Sequence, residues 1–272
     1  MPVFQDILWG YALTYPEGWI HQTVQEDTEA FAEKVEALSQ DYSGPLAGQI
    51  LVKPELNPFR QAIEPIWSQH IARSAGMIGA RDVRSAPWRL AGASGLEAEI
   101  ALAKKEKQRF WTGVLQRHFV VMKFVVIHPM EERRRFEPLA TQLISSLQFI
   151  THAMDLPTTP DTFPLPPDYT PADPRNLVND IQDLTGWRAY TGSASIAALQ
   201  AFYLREAPNY GWAVLAYDPF PGRSDLGFAR LELRQEKRSV TLGILPAGGA
   251  SVDSSSPANL ALKYSFSPGA NH

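Results

Sequence analysis

Along the first half of the chain the apolar residues recur with two different periods. The stretches Trp9 to Thr14 and Trp19 to Val24 flank Tyr15-Pro16-Glu17-Gly18. There proline pre-sets the second turn position and glycine suits the fourth, which predicts a β-hairpin. Gln49 to Lys53 reads as a short strand. Ile63, Ile66, Trp67, His70 and Ile71 then share one helical face, with Pro65 suited to the first turn and Gly76 to a left-handed cap. Leu96, Ala98, Ile100 and Leu102 alternate with Glu97 and Glu99, the mark of a strand with one buried and one wetter face. Lys104-Lys105-Glu106-Lys107 is the charged turn after it. Phe110 to Gln116 returns, and Phe119 to Ile127 runs back. This last stretch is apolar at both parities, as a central strand covered on both sides must be. Phe136, Leu139, Ala140, Leu143, Ile144 and Leu147 follow helical spacing and predict a helix after Pro129.

The second half carries a different sequence of elements. A short strand is predicted from Trp187 to Thr191. Ser193 or Ser195 is placed to cap a helix in which Ile196, Leu199, Phe202 and Tyr203 share a face. Pro208-Asn209-Tyr210-Gly211 ends it. Strands are then predicted at Trp212 to Tyr217, Gly227 to Leu233, Ser239 to Leu245 and Asn259 to Phe266. Between the halves, seven prolines lie from Pro157 to Pro174. Each fixes φ and removes a backbone donor, so helix and central strand are excluded and an extended, semi-rigid spacer is expected. The expected organisation is a domain at 1–154, a proline-rich linker at 155–174 and a smaller α+β domain at 175–272.

Composition narrows the chemistry. The 272 residues contain no cysteine. That excludes disulfide scaffolds, thiol nucleophiles, cysteine-ligated metal clusters and a lipid-modified N-terminal cysteine. The net charge is −4, with 16 basic against 17 acidic residues in 1–154 and 9 against 12 in the remainder. Neither half has the basic excess of a dedicated nucleic-acid binder. No apolar run reaches the ~20 residues of a membrane-spanning helix, and Met1 to Asp6 does not have the basic start of a signal peptide. A soluble, cytoplasmic protein is the plain expectation.

Candidate chemistry is sparse. The six histidines show no H-x-H or H-E-x-x-H spacing, and His118 and His128 bracket one strand, ~30 Å apart, too far to share a metal. His70 sits on an apolar helix face, where a packed, hydrogen-bonded core histidine is expected. Glu97 and Glu99 project from the same strand face, an arrangement that serves acid–base chemistry if their environments differ and a solvated face if they do not. Gly92-Ala93-Ser94-Gly95 fails the G-x-S-x-G pattern and precedes a strand where a helix is needed. Pro246 to Ala250 is glycine-rich but has neither the phosphate-loop lysine nor a following helix. No catalytic residue, metal ligand or cofactor is expected. The most distinctive surface features are two basic clusters: Lys104, Lys105, Lys107 and Arg109, and Arg133, Arg134 and Arg135. They are the candidate interaction surface. Trp9, Trp67 and Trp111 fall inside regular elements and read as core, whereas Trp88, Trp187 and Trp212 stand near element edges, where a binding cleft could use them.

An aromatic strand running into Tyr15-Pro16-Glu17-Gly18-Trp19 resembles the opening Y-P-x-G-W of the PsbP/DcrB-like superfamily. The closing Ile144-Ser145-Ser146-Leu147-Gln148-Phe149 is similar too, so the resemblance spans about residues 3–150. It implies an α+β fold, an antiparallel sheet covered by helices as an α/β/α sandwich, and a family of accessory proteins. Those include photosystem II extrinsic subunits, bacterial lipoproteins and a Ran-binding regulator. The secretion or lipoprotein leader of many bacterial members is not seen here. Ser195, Phe202-Tyr203 and Gly211-Trp212, followed by strands, resemble small α+β modules of bacterial lipoproteins. Photosynthetic function does not follow from a fold. The leading expectation is a non-catalytic accessory protein with a protein partner. The alternative is a small-molecule or lipid carrier with a pocket between sheet and helix, and the third is a carboxylate-dependent hydrolase.

Overall fold

The computed structural model describes residues 1–25, 27–38, 47–78, 80–102, 108–150, 156–222, 227–248 and 252–266. They form two compact units: Met1–Asp6 with Tyr11–Phe149, and Ile7–Gly10 with Ile150–His272. No helix among the described residues is long and apolar enough to cross a membrane.

The first unit is built on a seven-stranded antiparallel sheet. In chain order its strands are β3 (Ile20–Gln25), β4 (Thr28–Ala32), β5 (Gln49–Leu56), β6 (Ala80–Leu90), β7 (Ala93–Leu102), β8 (Gln108–Arg117) and β9 (Val120–Pro129). Their spatial order is β3-β4-β5-β9-β8-β7-β6. A small sheet joins β1 (Val3–Asp6) and β10 (Gln148–Phe149) to either side of β2 (Tyr11–Thr14). Helices α1 (Ile63–Ile78) and α2 (Arg133–Ser145) complete the unit.

Register decides what each sheet face carries. Ala98 lies opposite Thr112, and Thr112 opposite Val125, so these three share a face. Trp67 of α1 packs on that face with Ala98, Val114 and Val121. One residue along, Glu97, Gly113 and Phe124 line up, as do Glu99, Trp111 and Val126, on the opposite face. Strand β9 lies between β5 and β8, with Val121 buried on one side and Met122 and Phe124 on the other. That is the central position its doubly apolar sequence predicts.

The expected hairpin is not a ladder. Trp19 N–H bonds Pro16 O at 3.2 Å and Gly18 takes φ +82°, so the turn forms. However, β2 pairs with β1 and β10, and β3 pairs with β4. Turn chemistry is local, whereas strand partners are chosen by long-range burial. The helix expected to cap at Gly76 continues to Ile78.

His70 occupies a hydrogen-bonded core position. Its Nε2 lies 2.6 Å from the Thr112 hydroxyl oxygen, and that hydroxyl donates its one proton to Phe124 O at 2.7 Å. The oxygen must therefore accept, so Nε2–H is the donor. Burial first, then the nearby Lys123 ammonium, lowers the imidazole pKa from 6.5 to about 4. Between these values the unfolded chain binds the extra proton, so stability is complete above pH 6.5 and falls as the pH drops toward 4. A loss of about 3 kcal/mol between pH 7 and pH 4 is expected from this group. Urea unfolding at both pH values will show it as the difference between the native protein and His70→Gln, which keeps a donor but does not titrate.

The second unit has a six-stranded antiparallel sheet in the order β11-β12-β16-β15-β14-β13. The strands are β11 (Thr170–Ala172), β12 (Trp187–Thr191), β13 (Ala213–Asp218), β14 (Ala229–Gln235), β15 (Arg238–Pro246) and β16 (Ala258–Phe266). Helix α3 (Ile196–Asn209) is capped by Ser195, whose side chain accepts from Ala198 N–H at 3.1 Å. Leu199, Phe202 and Tyr203 of α3 join Leu231, Leu242 and Leu260 in one fully buried core. Where an extended spacer is expected, the described residues from Leu156 onward contribute Leu156, Phe163 and Leu165 to this core. Prolines exclude helix and central strand, but they allow the edge strand β11 through Pro171 and leave the apolar residues between them free to be buried.

Candidate functional site

A cleft of about 360 Å³ opens in the first unit, between α2 and the β6–β9 part of the sheet. Trp88, Glu97, Glu99, Arg109, Trp111, Val126 and His128 line it from the sheet, and Arg133, Glu137, Ala140, Thr141 and Ile144 from α2. The sheet residues meet there because alternation sends every second side chain to one face. The helix residues meet there because positions 133, 137, 140, 141 and 144 recur at helical spacing.

The floor is aromatic. Trp88 and Trp111 stand perpendicular, with centroids 5.3 Å apart and an 87° interplanar angle, and Trp88 meets Phe124 at 5.4 Å and 82°. Gly113 makes this possible. A Cβ built there would come within 2.6 Å of the Trp88 ring and 2.8 Å of the Trp111 ring. The residue facing Glu97 across the strand pair is therefore one without a side chain, and the indoles occupy the space.

Most of the polar groups are paired among themselves, but Arg109 Nε has no hydrogen-bond acceptor and Glu97 has no cationic partner among the described residues. Arg109 forms an ion pair with Glu99, and its Nε lies 4.0 Å from Glu137. Arg133 Nε contacts both Glu137 oxygens at 3.1 Å. The His128 ring is buried against Phe136 at 5.3 Å and donates from Nδ1 to Pro129 O at 2.8 Å. That bond leaves its Nε2 facing Glu137 at 3.6 Å. Glu97 accepts from Trp111 Nε1 at 3.1 Å. Two arginines thus balance two carboxylates, and the third carboxylate, beside the tryptophans, has no cationic partner among the described residues.

This arrangement is suited to holding a ligand. Neither hydroxyl in the lining, Thr141 or Ser145, is hydrogen-bonded to His128, so no nucleophile is paired with a base there. Among the described residues no group of three or more histidines and carboxylates is placed to hold a metal ion.

The residues singled out in the sequence are distributed unevenly. Glu97, Glu99, Arg109, Arg133 and Trp88 come together in the cleft. Arg135 turns away to Glu33 and lies 3.6 Å from Glu132. Arg134 is exposed on α2 beside Pro138. Lys104, Lys105 and Lys107 lie outside the described residues. Trp111, read as core, is a wall of the cleft. Glu137 is not among the residues the sequence singles out, and His128 is weighed there only as a metal partner of His118. The Arg133/Glu137 spacing of four was a readable signal for the first, whereas nothing local points to the second.

No family model matches the chain, and no curated protein matches its sequence. Solved structures do. Cyanobacterial PsbP (CyanoP) from Synechocystis sp. PCC 6803 is similar at 13% identity and TM-score 0.42, over 54% of this chain and 91% of that one. The Ran-binding protein Mog1p of Saccharomyces cerevisiae is similar at 9% identity and TM-score 0.38, over 55% and 95%. LpqN of Mycobacterium tuberculosis, involved in cell envelope biogenesis, is similar at 11% identity and TM-score 0.36, over 52% and 83%. The functional reading below rests on the cleft's own residues.

Proposed function

We propose that this is a non-catalytic binding protein whose first unit receives a compact ligand in the cleft between α2 and the sheet. One observation carries the reading: a concave, aromatic-floored space of about 360 Å³ whose ionic groups are mostly tied to one another. Its size falls in the range of small-molecule sites, and a few converging polar groups on an apolar floor are their usual composition. A flat surface for a protein partner would lack that concavity. The small-molecule reading is therefore favoured over a purely protein–protein role.

The test is retention. Native mass spectrometry of the intact chain, after incubation with a small-metabolite extract and desalting, is expected to show a bound mass. Thr141→Trp, at the exposed edge of the cleft, is expected to remove it. A wild-type chain that retains nothing, or a bound mass that survives in Thr141→Trp, would overturn the reading.

A further inference from the structure

We infer that the ligand is a small organic cation, an ammonium group carrying an apolar chain, held between Trp88, Trp111 and Glu97. The inference rests on the cleft being a ligand site and names what the site selects. The perpendicular indoles form a corner in which the edge of one ring meets the face of the other. Ring faces carry the negative part of the aromatic quadrupole and attract an ammonium group, more strongly as the site is drier. Glu97 closes the corner. It spends one oxygen on the Trp111 N–H, which leaves acceptor capacity on the carboxylate facing the cleft.

The other charges argue for the same sign. Arg109 and Arg133 are already paired with Glu99 and Glu137, so an anion competes with two carboxylates for them, although the Arg109 Nε–H itself has no hydrogen-bond acceptor among the described residues. A cation meets a carboxylate that has no ionic partner among the described residues. Burying an uncompensated charge is costly, so Glu97 and a bound ammonium group relieve each other. Ala140 and Ile144, one turn apart on α2, supply an apolar wall for the rest of the ligand.

The experiment titrates the intact chain with hexyltrimethylammonium, hexanol and hexanoate, read by tryptophan fluorescence and calorimetry. The cation is expected to bind at least about tenfold more tightly than the other two, and to weaken as salt is raised. Glu97→Gln is expected to abolish that preference while hexanol binding persists, which also shows the variant is folded. Glu64→Gln, an equal charge change on exposed α1 surface, is expected to leave it unchanged. Equal or tighter binding of hexanol or hexanoate, a preference that survives Glu97→Gln, or no binding of the cation would each overturn the inference. If hexanol or hexanoate then still binds and Thr141→Trp blocks it, the cleft remains a ligand site and only its selectivity for cations fails. If the chain also retains nothing from the metabolite extract, both readings fall.

Discussion

Replacing Phe136 by alanine is expected to lower the stability of the first unit by about 3–5 kcal/mol and to abolish ligand retention. The ring is 2% exposed and is the largest apolar group that α2 buries. It stacks on Trp19 at 5.3 Å and 23°, and on His128 at 5.3 Å and 32°. Its seat is prepared from below: a Cβ at Gly48 would come within 2.2 Å of the ring, so glycine leaves the space that the ring fills. Truncation removes the transfer energy of the ring and leaves a cavity that Trp19 and His128 fill only in part. Ala140, Leu143 and Ile144 are the other buried residues of α2, and they are smaller. Glu137 adjoins Phe136 and Arg133 lies one turn before, so a loosened helix also misplaces the cleft's ionic wall. Urea unfolding measures the stability change, and Phe136→Leu should lose less than half as much. A loss under about 1 kcal/mol for alanine would show that the helix is anchored elsewhere.

The second large effect belongs to the other unit. Arg205→Ala is expected to cost about 3–5 kcal/mol, because it strands a buried carboxylate. Glu206 is 0% exposed. Arg205 Nε donates to its Oε1 at 2.6 Å, and Asn209 Nδ2 donates to its Oε2 at 3.2 Å. The same guanidinium donates to the carbonyls of Leu8 at 3.0 Å and Ile7 at 2.5 Å. Gly10 completes the fit with φ +74°, since a Cβ there would meet the guanidinium at 2.4 Å. Removing the arginine therefore orphans one charge and two carbonyls together. Replacing both partners, Arg205→Met with Glu206→Met, should recover most of the loss, because an apolar pair carries no desolvation penalty. A double-mutant cycle in thermal or urea unfolding will show a strong coupling between the two positions. Additive effects would contradict this account.

Elements whose own residue pattern decides their structure are legible locally. The spacing of Phe136, Ala140, Leu143 and Ile144 defines α2, and these four are its buried residues. The doubly apolar run in β9 implies the middle of a sheet. Ser195 and the turn at Pro208 to Gly211 bound α3. Strands β1, β4 and β6 were not expected, because each is short or mixed in polarity and is held by neighbours far along the chain. Strand β6 illustrates this. Five of its described residues, Arg84, Ser85, Ala86, Pro87 and Arg89, are exposed, yet it pairs with β7 from Leu90 back to Ala80. Its turn uses Ala91 and Gly92 at positive φ.

The candidate site divides along the same line. From alternation alone, Glu97 and Glu99 had to share a strand face, and from helical spacing Arg133 and Glu137 had to share a helix face. Nothing in the order of residues says that these two faces look at each other. Nor does it say that Gly113 stands opposite Glu97, or that Trp88 reaches across to Phe124. Side-chain direction within a strand or helix follows from backbone geometry, which each short segment carries for itself. Which faces meet is decided by the register of β6 to β9 and by the docking of α2, and those minimise exposed apolar area over the whole unit. Strongly periodic segments such as α2, β7 and β9 carry their own element type and faces in the residue order. It took long-range packing to pair two arginines with two carboxylates and to set Glu97 beside Trp111 with no cationic partner among the described residues.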